Sequence, residues 1–362
     1  AGHADEIDGA HVVGGHPGAT LVHATMAIAQ RARASGAELL NAVVLGYDIG
    51  VRLIAACGGI FGVKNRTHLH ADFLHAVGAA VAAGRLLRLE PVRLTHAMAL
   101  ATFQANGLCA LFREERHISK AFCNGQYAAA GVHAALMAQA GLEGCTDVIG
   151  ERHGLLDAWG VEGSREIVVA GLGDDYAILG SNFKFLRAGY PIHAAVEAAL
   201  SILREHDITS DAIAAVDVGM PENAMRVVDN RAMHDICLQD VLAAALLHGG
   251  LRLSESPFPK VLAEPEFARL RALITLGVDA DLNAEQPNGR GASVTITTRD
   301  GVSHTARVDH PRGHSLRGGV TWADLEAKWR EAIDDRATEW VTLATRLDDL
   351  ETVEPLAAAF ES

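Results

Sequence analysis

The sequence is short of positive charge, of paired cysteines and of long apolar runs, and each shortage excludes a class of protein. Lysine and arginine number 31 against 45 aspartates and glutamates, so the net charge is −14 with histidine neutral. A chain this acidic is a poor candidate for sequence-independent binding to nucleic acid or to anionic lipid. We therefore expect neither a nucleic-acid partner nor a membrane partner.

Cysteines are few and scattered, and the apolar stretches are interrupted. No CxxC pair occurs among Cys57, Cys109, Cys123, Cys145 and Cys237. This pattern argues against a disulfide framework, a zinc ribbon and an iron–sulfur centre. The stretch 94–112 is too polar to span a bilayer, and the first residues show no signal peptide. These absences predict a cytoplasmic protein without a cysteine-bound metal centre.

The composition is otherwise that of a globular protein, and the first half predicts one helix after another. Hydrophobic residues make up 49% and aromatic residues 5% of the 362 residues. Ser35 and Glu38 fit a capping box before a run of apolar residues at helical spacing that ends at Gly58-Gly59. Further helices, crowded with alanine and glycine, are predicted over 75–87, 92–106 and 118–140. Small residues let helices approach closely, so we predict a mostly α protein with a large, tightly packed helical domain.

After about residue 180 the pattern mixes helices with strands. Helices are predicted over 193–206, 236–248, 265–276 and 321–333, the last with Thr321 as N-cap, and a strand is predicted over 212–218. Alternating apolar residues over 293–308 flank Asp300-Gly301, which predicts a β-hairpin. The second half therefore predicts a separate α+β domain.

Histidine is unusually frequent, with 18 residues, and the first cluster lies in a glycine-rich loop. His3, Glu6, Asp8, His11 and His16 stand within fourteen positions of one another. Imidazoles and carboxylates gain and lose protons near neutral pH, which is what proton transfer requires. A solvated polar loop would show the same composition, so both interpretations stay open here.

A second histidine cluster contains His68, His70, Asp72 and His75. Imidazole and carboxylate at this spacing suit a divalent metal ion, although no second ligand motif follows. His75 begins an alanine-rich helix and is equally explained as a packed histidine. Two lysines add a third feature, because Lys120 starts a small-residue helix and Lys184 stands near the domain junction. Either lysine is a candidate anion site or a solvated surface residue.

Taken in order, these segments resemble the MmgE/PrpD family, which includes 2-methylcitrate dehydratases, cis-aconitate decarboxylases and iminodisuccinate epimerases. The family's loop H-x-x-D-F-D-D-T, with its HPG ending, is similar to HADEIDGAHVVGGHPG. Four further segments are similar to motifs of the family. Residues 119–144 resemble its glycine- and alanine-rich helix that begins with a lysine, and residues 184–200 resemble its K-x-Y-P segment. Residues 237–251 resemble its lid helix, and residues 308–329 resemble its Pro-Gly-His ending. The resemblance extends over almost the whole chain.

The resemblance implies an architecture and a type of ligand. Residues 1–180 and 313–362 would form the large helical domain, and residues 181–312 an α+β lid, with the active site in the cleft between them. Members of the family are homodimers that act on small anionic carboxylates without a cofactor. We expect the same of this chain.

The chemistry implied by the resemblance is removal of a proton next to a carboxylate. The resulting enolate-like charge would be stabilised by preorganised cations. On this basis we assign His16 as the acid/base, assisted by Glu6, and His70 as a second proton donor or acceptor, with His68 as the alternative. Loss of a β-hydroxyl from the intermediate gives a dehydratase, which is the lyase activity we favour. An epimerase or a decarboxylase would use a related carbanion.

The remaining assignments concern substrate binding. Lys120 and Lys184 would hold substrate carboxylates and stabilise the developing charge, Asp8 would orient the loop, and Asp240 would contact the substrate.

Several positions depart from the family pattern. Glu6 replaces an aspartate, Ala10 replaces a frequent threonine, and Asp240 stands where a tyrosine is common. Family members also carry helices before the first motif. Two further hypotheses therefore stay open, namely a metal-dependent hydrolase built on His68, His70 and Asp72 and a non-catalytic homologue.

Overall fold

A computed structural model describes residues 3–4, 6–104, 107–114, 118–285, 289–333 and 337–361, and they are mostly α-helical. In chain order the helices are α1 (Pro17–Ala32), α2 (Gly36–Ala56), α3 (Gly59–Thr67), α4 (His75–Leu86), α5 (Pro91–Thr102), α6 (Ile118–Gln139), α7 (Leu155–Trp159), α8 (Ser164–Val169), α9 (His193–Glu205), α10 (Glu222–Val228), α11 (Leu238–His248), α12 (Phe258–Val261), α13 (Pro265–Ala272), α14 (Ala280–Asn283), α15 (Trp322–Ile333), α16 (Ala337–Ala344) and α17 (Glu354–Glu361). The strands are β1 (Ala10–His11), β2 (Ser181–Asn182), β3 (Ile213–Met220), β4 (Ile274–Val278), β5 (Ala292–Thr298) and β6 (Ser303–Val308).

The described residues divide into two units. The helical unit contains 8–104, 107–114, 118–181 and 337–361, and the mixed unit contains 3–4, 6–7, 182–285 and 289–333. The sequence analysis placed residues 313–333 with the helices, whereas here they group with the mixed unit. Hydrogen bonds within the mixed unit explain the difference. Phe183 N–H donates to Gly313 O at 2.9 Å, and Lys328 Nζ donates to Ile7 O at 3.4 Å.

Helix α4 forms the centre of the helical unit, and small residues let its neighbours approach it. A Cβ on Gly78 would overlap the carbonyl of Gly46 in α2, and a Cβ on Gly131 in α6 would overlap the carbonyl of Ala76. Glycine at these positions therefore sets how closely the helix backbones pack. The tight packing predicted from the alanine and glycine content is confirmed at these crossings.

Helix α2 begins where the sequence predicted. Ser35 Oγ accepts from Glu38 N–H at 3.2 Å, and Glu38 Oε2 accepts from Ser35 N–H at 2.9 Å, which completes the capping box. By length and composition α2, rather than the stretch 94–112, could cross a membrane, but most of its apolar length is buried within the protein. The core helix of a globular protein passes the same test.

The mixed unit contains a four-stranded sheet in the order β4-β3-β5-β6, onto which α9 packs. Strands β5 and β6 form the predicted hairpin, and Gly301 adopts φ of 85° in its turn. The predicted helix over 265–276 is wrong in its last turn, because α13 ends at Ala272. Residues Ile274–Val278 instead pair in parallel with β3, a long-range partner that local spacing does not reveal.

Candidate active site

The loop that carries His16 is fixed by two other histidines of the helical unit. His75 Nε2–H donates to Gly14 O at 2.7 Å, and His11 Nε2–H donates to Ala177 O at 2.8 Å. His11 Nδ1 in turn accepts from the N–H groups of Val13 and Gly14 at 3.1 Å. These bonds hold the loop against the start of α1, where Pro17 occupies the first turn and His16 precedes it.

His16 connects a carboxylate to an ammonium group. Its Nδ1 lies 3.0 Å from Asp8 Oδ2 and 3.1 Å from Gly9 O, and its Nε2 lies 3.0 Å from Lys120 Nζ. Because an ammonium group only donates, Nε2 accepts from Lys120 and Nδ1 carries the proton toward Asp8. The arrangement is a neutral imidazole that is oriented by a carboxylate, as a general base requires. Its Nε2 lone pair accepts from the buried Lys120 ammonium group.

Helix α6 directs a row of buried polar side chains inward. Lys120, Asn124 and Tyr127 are spaced three or four residues apart and are 9%, 1% and 2% exposed. Within the described residues, both amide atoms of Asn124 and the hydroxyl of Tyr127 are buried without a hydrogen-bond partner. Buried polar atoms normally have partners, so these atoms are available to a ligand.

His70 is buried, whereas His68 is exposed in the left-handed conformation at the end of α3. Burial lowers the pKa of His70 to about 4, which keeps its imidazole neutral at physiological pH. The model therefore favours His70 over His68 as an interior group. In the part of the chain that the structure describes, the donor atoms of His68, His70 and Asp72 do not cluster within 4.8 Å of one another. This geometry disfavours the hydrolase hypothesis.

Asp72 lies beside His70, with Asp72 Oδ2 3.7 Å from His70 Nε2 and with no exposed surface. Burial raises the pKa of its carboxyl group, but Lys120 and, in their protonated forms, His70, His75 and His16 lower that pKa below its ordinary value. Apart from the exposed His68, the second histidine cluster is thus an interior group of the helical unit.

In the mixed unit, Lys184 is paired with Glu6. Lys184 Nζ lies 2.7 Å from Glu6 Oε2, and the two side chains are 0% and 4% exposed. Glu6, which the sequence analysis assigned to assist His16, therefore forms a buried ion pair with a predicted substrate-binding lysine. Burial, together with the positive charge of Lys184, lowers the pKa of the neighbouring His193 to about 3.

Asp240, another predicted substrate contact, also has charged neighbours in the mixed unit. Its carboxylate is 3% exposed, lies 2.6 Å from His234 Nδ1 through Oδ2, and accepts from Arg271 Nε through Oδ1. Both oxygens are thus engaged by groups of the same unit.

Sequence reasoning missed several buried polar residues. In the helical unit these are Asn124 and Tyr127, whose spacing from Lys120 along α6 was the available signal. In the mixed unit, the Tyr190 ring lies 5.4 Å from that of His193 and 6.4 Å from that of His314. Burial also lowers the pKa of His314 to about 4. Both histidines stood in segments that the sequence analysis quoted without assigning them a role.

Comparison with known proteins identifies the family. The model of the MmgE/PrpD N-terminal domain matches residues 1–165, and that of the MmgE/PrpD C-terminal domain matches residues 187–347. The mitochondrial 2-methylcitrate dehydratase of Yarrowia lipolytica is 28% identical over 254 residues, which cover 60% of this chain and 49% of the relative. The cis-aconitate decarboxylase of Aspergillus terreus is 25% identical over 300 residues, which cover 77% of this chain and 61% of the relative. The chain thus spans about half to three fifths of these relatives. Because both domain models match and together cover most of its length, the chain belongs to the MmgE/PrpD family.

Proposed function

We propose that this protein is a cofactor-independent lyase that removes a proton next to a carboxylate and eliminates water from a hydroxy-polycarboxylate such as 2-methylcitrate. The observation that carries the proposal is the chain of contacts from Asp8 through His16 to Lys120. It places a neutral, oriented imidazole beside a buried cation, which is what carbanion formation next to a carboxylate requires. The names of the two relatives, a dehydratase and a decarboxylase, support the same reaction class.

In this mechanism, the substrate carboxylate takes the place of His16 as the partner of Lys120. The lone pair of His16 Nε2 is then free to accept the substrate proton, while Asp8 stabilises the imidazolium that forms. Lys120 stabilises the negative charge that develops on the carboxylate, and His70 delivers the proton with which the β-hydroxyl leaves as water. Lys184 and Asp240 remain predicted substrate contacts.

Decarboxylation is the second candidate reaction. It is favoured by the similarity to cis-aconitate decarboxylase, which covers 77% of this chain. In that reaction, loss of carbon dioxide would form the carbanion and His16 or His70 would protonate it. Epimerisation through the same carbanion is a third outcome.

The test is incubation in D2O with 2-methylcitrate, citrate and cis-aconitate, followed by proton NMR. A dehydratase forms an unsaturated acid from a hydroxy acid, and a decarboxylase releases carbon dioxide and incorporates deuterium at the protonated carbon. An epimerase incorporates deuterium at one stereocentre without forming an alkene. If these acids bind but show no elimination, decarboxylation or exchange, the proton-transfer function is wrong.

Three further properties stay proposals. A homodimer and a lid role for the mixed unit rest on the family resemblance, and a cytoplasmic location rests on the scattered cysteines. Activity is expected to survive exhaustive chelation with EDTA, and restoration of a chelated, inactive sample by zinc or iron would contradict the cofactor-free mechanism.

A further inference from the structure

The Asp72 carboxylate occupies an unusual environment in the helical unit. It has no exposed surface, and a Cβ on Gly15 would overlap its Oδ1, so the loop backbone closes over it. Within the described residues, neither oxygen has a hydrogen-bond partner. His70 Nε2 is 3.7 Å from Oδ2, which is beyond hydrogen-bond distance. A buried carboxylate without hydrogen bonds is unfavourable, so the resting structure leaves an interaction unmade.

Several titratable groups face Asp72 from the elements packed against it. They are His16 of the loop, His70 and His75 on either side of it in sequence, and Lys120, Cys123 and Tyr127 of α6. Burial raises the pKa of the Cys123 thiol and of the Tyr127 hydroxyl, so both are uncharged at neutral pH. His75 already donates its Nε2–H to Gly14 O. His70 is the imidazole whose Nε2 lies beside the carboxylate.

The charges near Asp72 indicate when its missing interaction with His70 forms. Among the described groups named here, and with the imidazoles neutral, Asp8 and Asp72 contribute two negative charges and Lys120 contributes one positive charge. A carboxylate ligand at Lys120 would add a further negative charge beside the buried Asp72 carboxylate. Uptake of a proton by His70 offsets that charge, and the positive charge of the imidazolium strengthens the attraction between its Nε2–H and Asp72.

We propose that Asp72 is a positioning residue for His70, and that the Asp72–His70 pair takes up one proton from solvent when a carboxylate ligand binds. This inference rests on the proposed function, because it makes His70 the acid of that reaction. The proton enters on the imidazole, Nε2–H closes on Asp72 Oδ2 to form a charge-assisted hydrogen bond, and Nδ1–H is left to donate to the ligand. The sequence analysis assigned Asp72 only to a hypothetical metal set.

The experiment is calorimetric titration with tricarballylate, a tricarboxylate without the hydroxyl group needed for elimination. Titrations at pH 7.5 in buffers of different ionisation enthalpy give the number of protons taken up per ligand bound. We expect about one proton for the native protein and close to none for Asp72→Asn and His70→Gln. Asp157→Asn is the matched control, because it removes the same charge from an exposed position in α7 and should keep the native uptake.

Two results overturn the proposal. One, which requires no variant, is ligand binding to the native protein with no proton uptake, and the other is an unchanged uptake in folded Asp72→Asn. If tricarballylate and the substrate panel do not bind at all, the proposed function fails and a ligand-free measurement decides the role of Asp72. In nitrogen-15 NMR of histidine-labelled protein, with His70→Gln for assignment, we expect His70 to carry its proton on Nε2. A proton on Nδ1 would show that Asp72 does not position His70.

Discussion

The two buried lysines assigned to the substrate differ in the groups they contact. Lys120, in the helical unit, contacts the neutral His16 imidazole, and Asn124 one turn later on α6 has buried amide atoms without partners among the described residues. Lys184, in the mixed unit, forms an ion pair with Glu6 that excludes solvent. Lys120 thus contacts a neutral group, whereas Lys184 contacts a carboxylate. Burial of a lysine therefore does not by itself identify a ligand site. The group that the lysine contacts indicates whether the lysine serves ligand binding or the stability of the fold.

The largest expected effect is on activity in the helical unit. Loss of a positioned acid or base typically lowers the rate about 10²- to 10⁴-fold, so His16→Gln and Lys120→Met should reduce kcat/KM by that range. Steady-state kinetics on the substrate that the NMR panel identifies provide the measurement. His23→Gln and Lys260→Met are the matched controls, because both residues are exposed. Native turnover in His16→Gln would remove the main argument for the helical unit as the site of chemistry.

The second effect is on stability in the mixed unit. Removing one partner of a buried ion pair leaves an uncompensated charge and typically costs about 3–5 kcal/mol. Glu6→Gln and Lys184→Met should each lower the free energy of unfolding by this order, as measured by urea denaturation. The double variant should recover much of the loss, because no isolated charge remains. If either single variant kept native stability and lost activity, Lys184 would be a substrate ligand like Lys120.

The third effect is a loss of stability in acid. Burial lowers the pKa of His193 to about 3 and of His314 to about 4, so both are neutral in the folded mixed unit. In the unfolded chain they take up protons below about pH 6.5. Their contribution is therefore complete above about pH 6.5 and falls as the pH drops toward the folded-state values. Each histidine contributes up to about 1.4 kcal/mol per pH unit within that window.

His193→Gln should make the pH dependence of unfolding less steep by about one proton between pH 6 and 4.5. Urea denaturation at several pH values measures this slope independently of any overall loss of stability. His206→Gln, at an exposed position of the same unit, serves as the control and should leave the slope unchanged. An equal slope in native protein and His193→Gln would mean that His193 is not held neutral.

The smallest expected effect is on stability at Asn124. Its amide is buried without partners among the described residues, so Asn124→Ala removes no hydrogen bond of that side chain and should change the free energy of unfolding by less than about 1 kcal/mol. If the amide binds substrate, KM should rise while the fold is kept. A large loss of stability with unchanged KM would place Asn124 among the structural residues.

Local signals in the sequence predicted most of the secondary structure but not the pairing of charges. The capping box at Ser35 and the turn at Asp300-Gly301 act within a few residues, and both predictions are confirmed. The strand Ile274–Val278 was missed because its partner β3 lies more than fifty residues earlier in the sequence. Its apolar residues also fit the helical spacing that continues from α13.

The candidate site shows the same division between local and long-range information. His16, His70 and Lys120 could be selected because the motifs that contain them are short and continuous. The pairing of Glu6 with Lys184 could not be predicted, since the two residues are 178 positions apart. Asp72 and Asn124 were not assigned to the site because only the packed structure shows that their polar atoms lack partners.

The bond from His75 to Gly14 joins residues 61 positions apart, and the contact between Lys120 and His16 joins residues 104 positions apart. Closing such long loops costs chain entropy before any contact compensates for it. The loop with His16 is synthesised before α4 and α6, yet the imidazole has no oriented lone pair until both helices have been made and packed. A nascent or partly folded chain therefore contains His16 but lacks the arrangement that would make it a base.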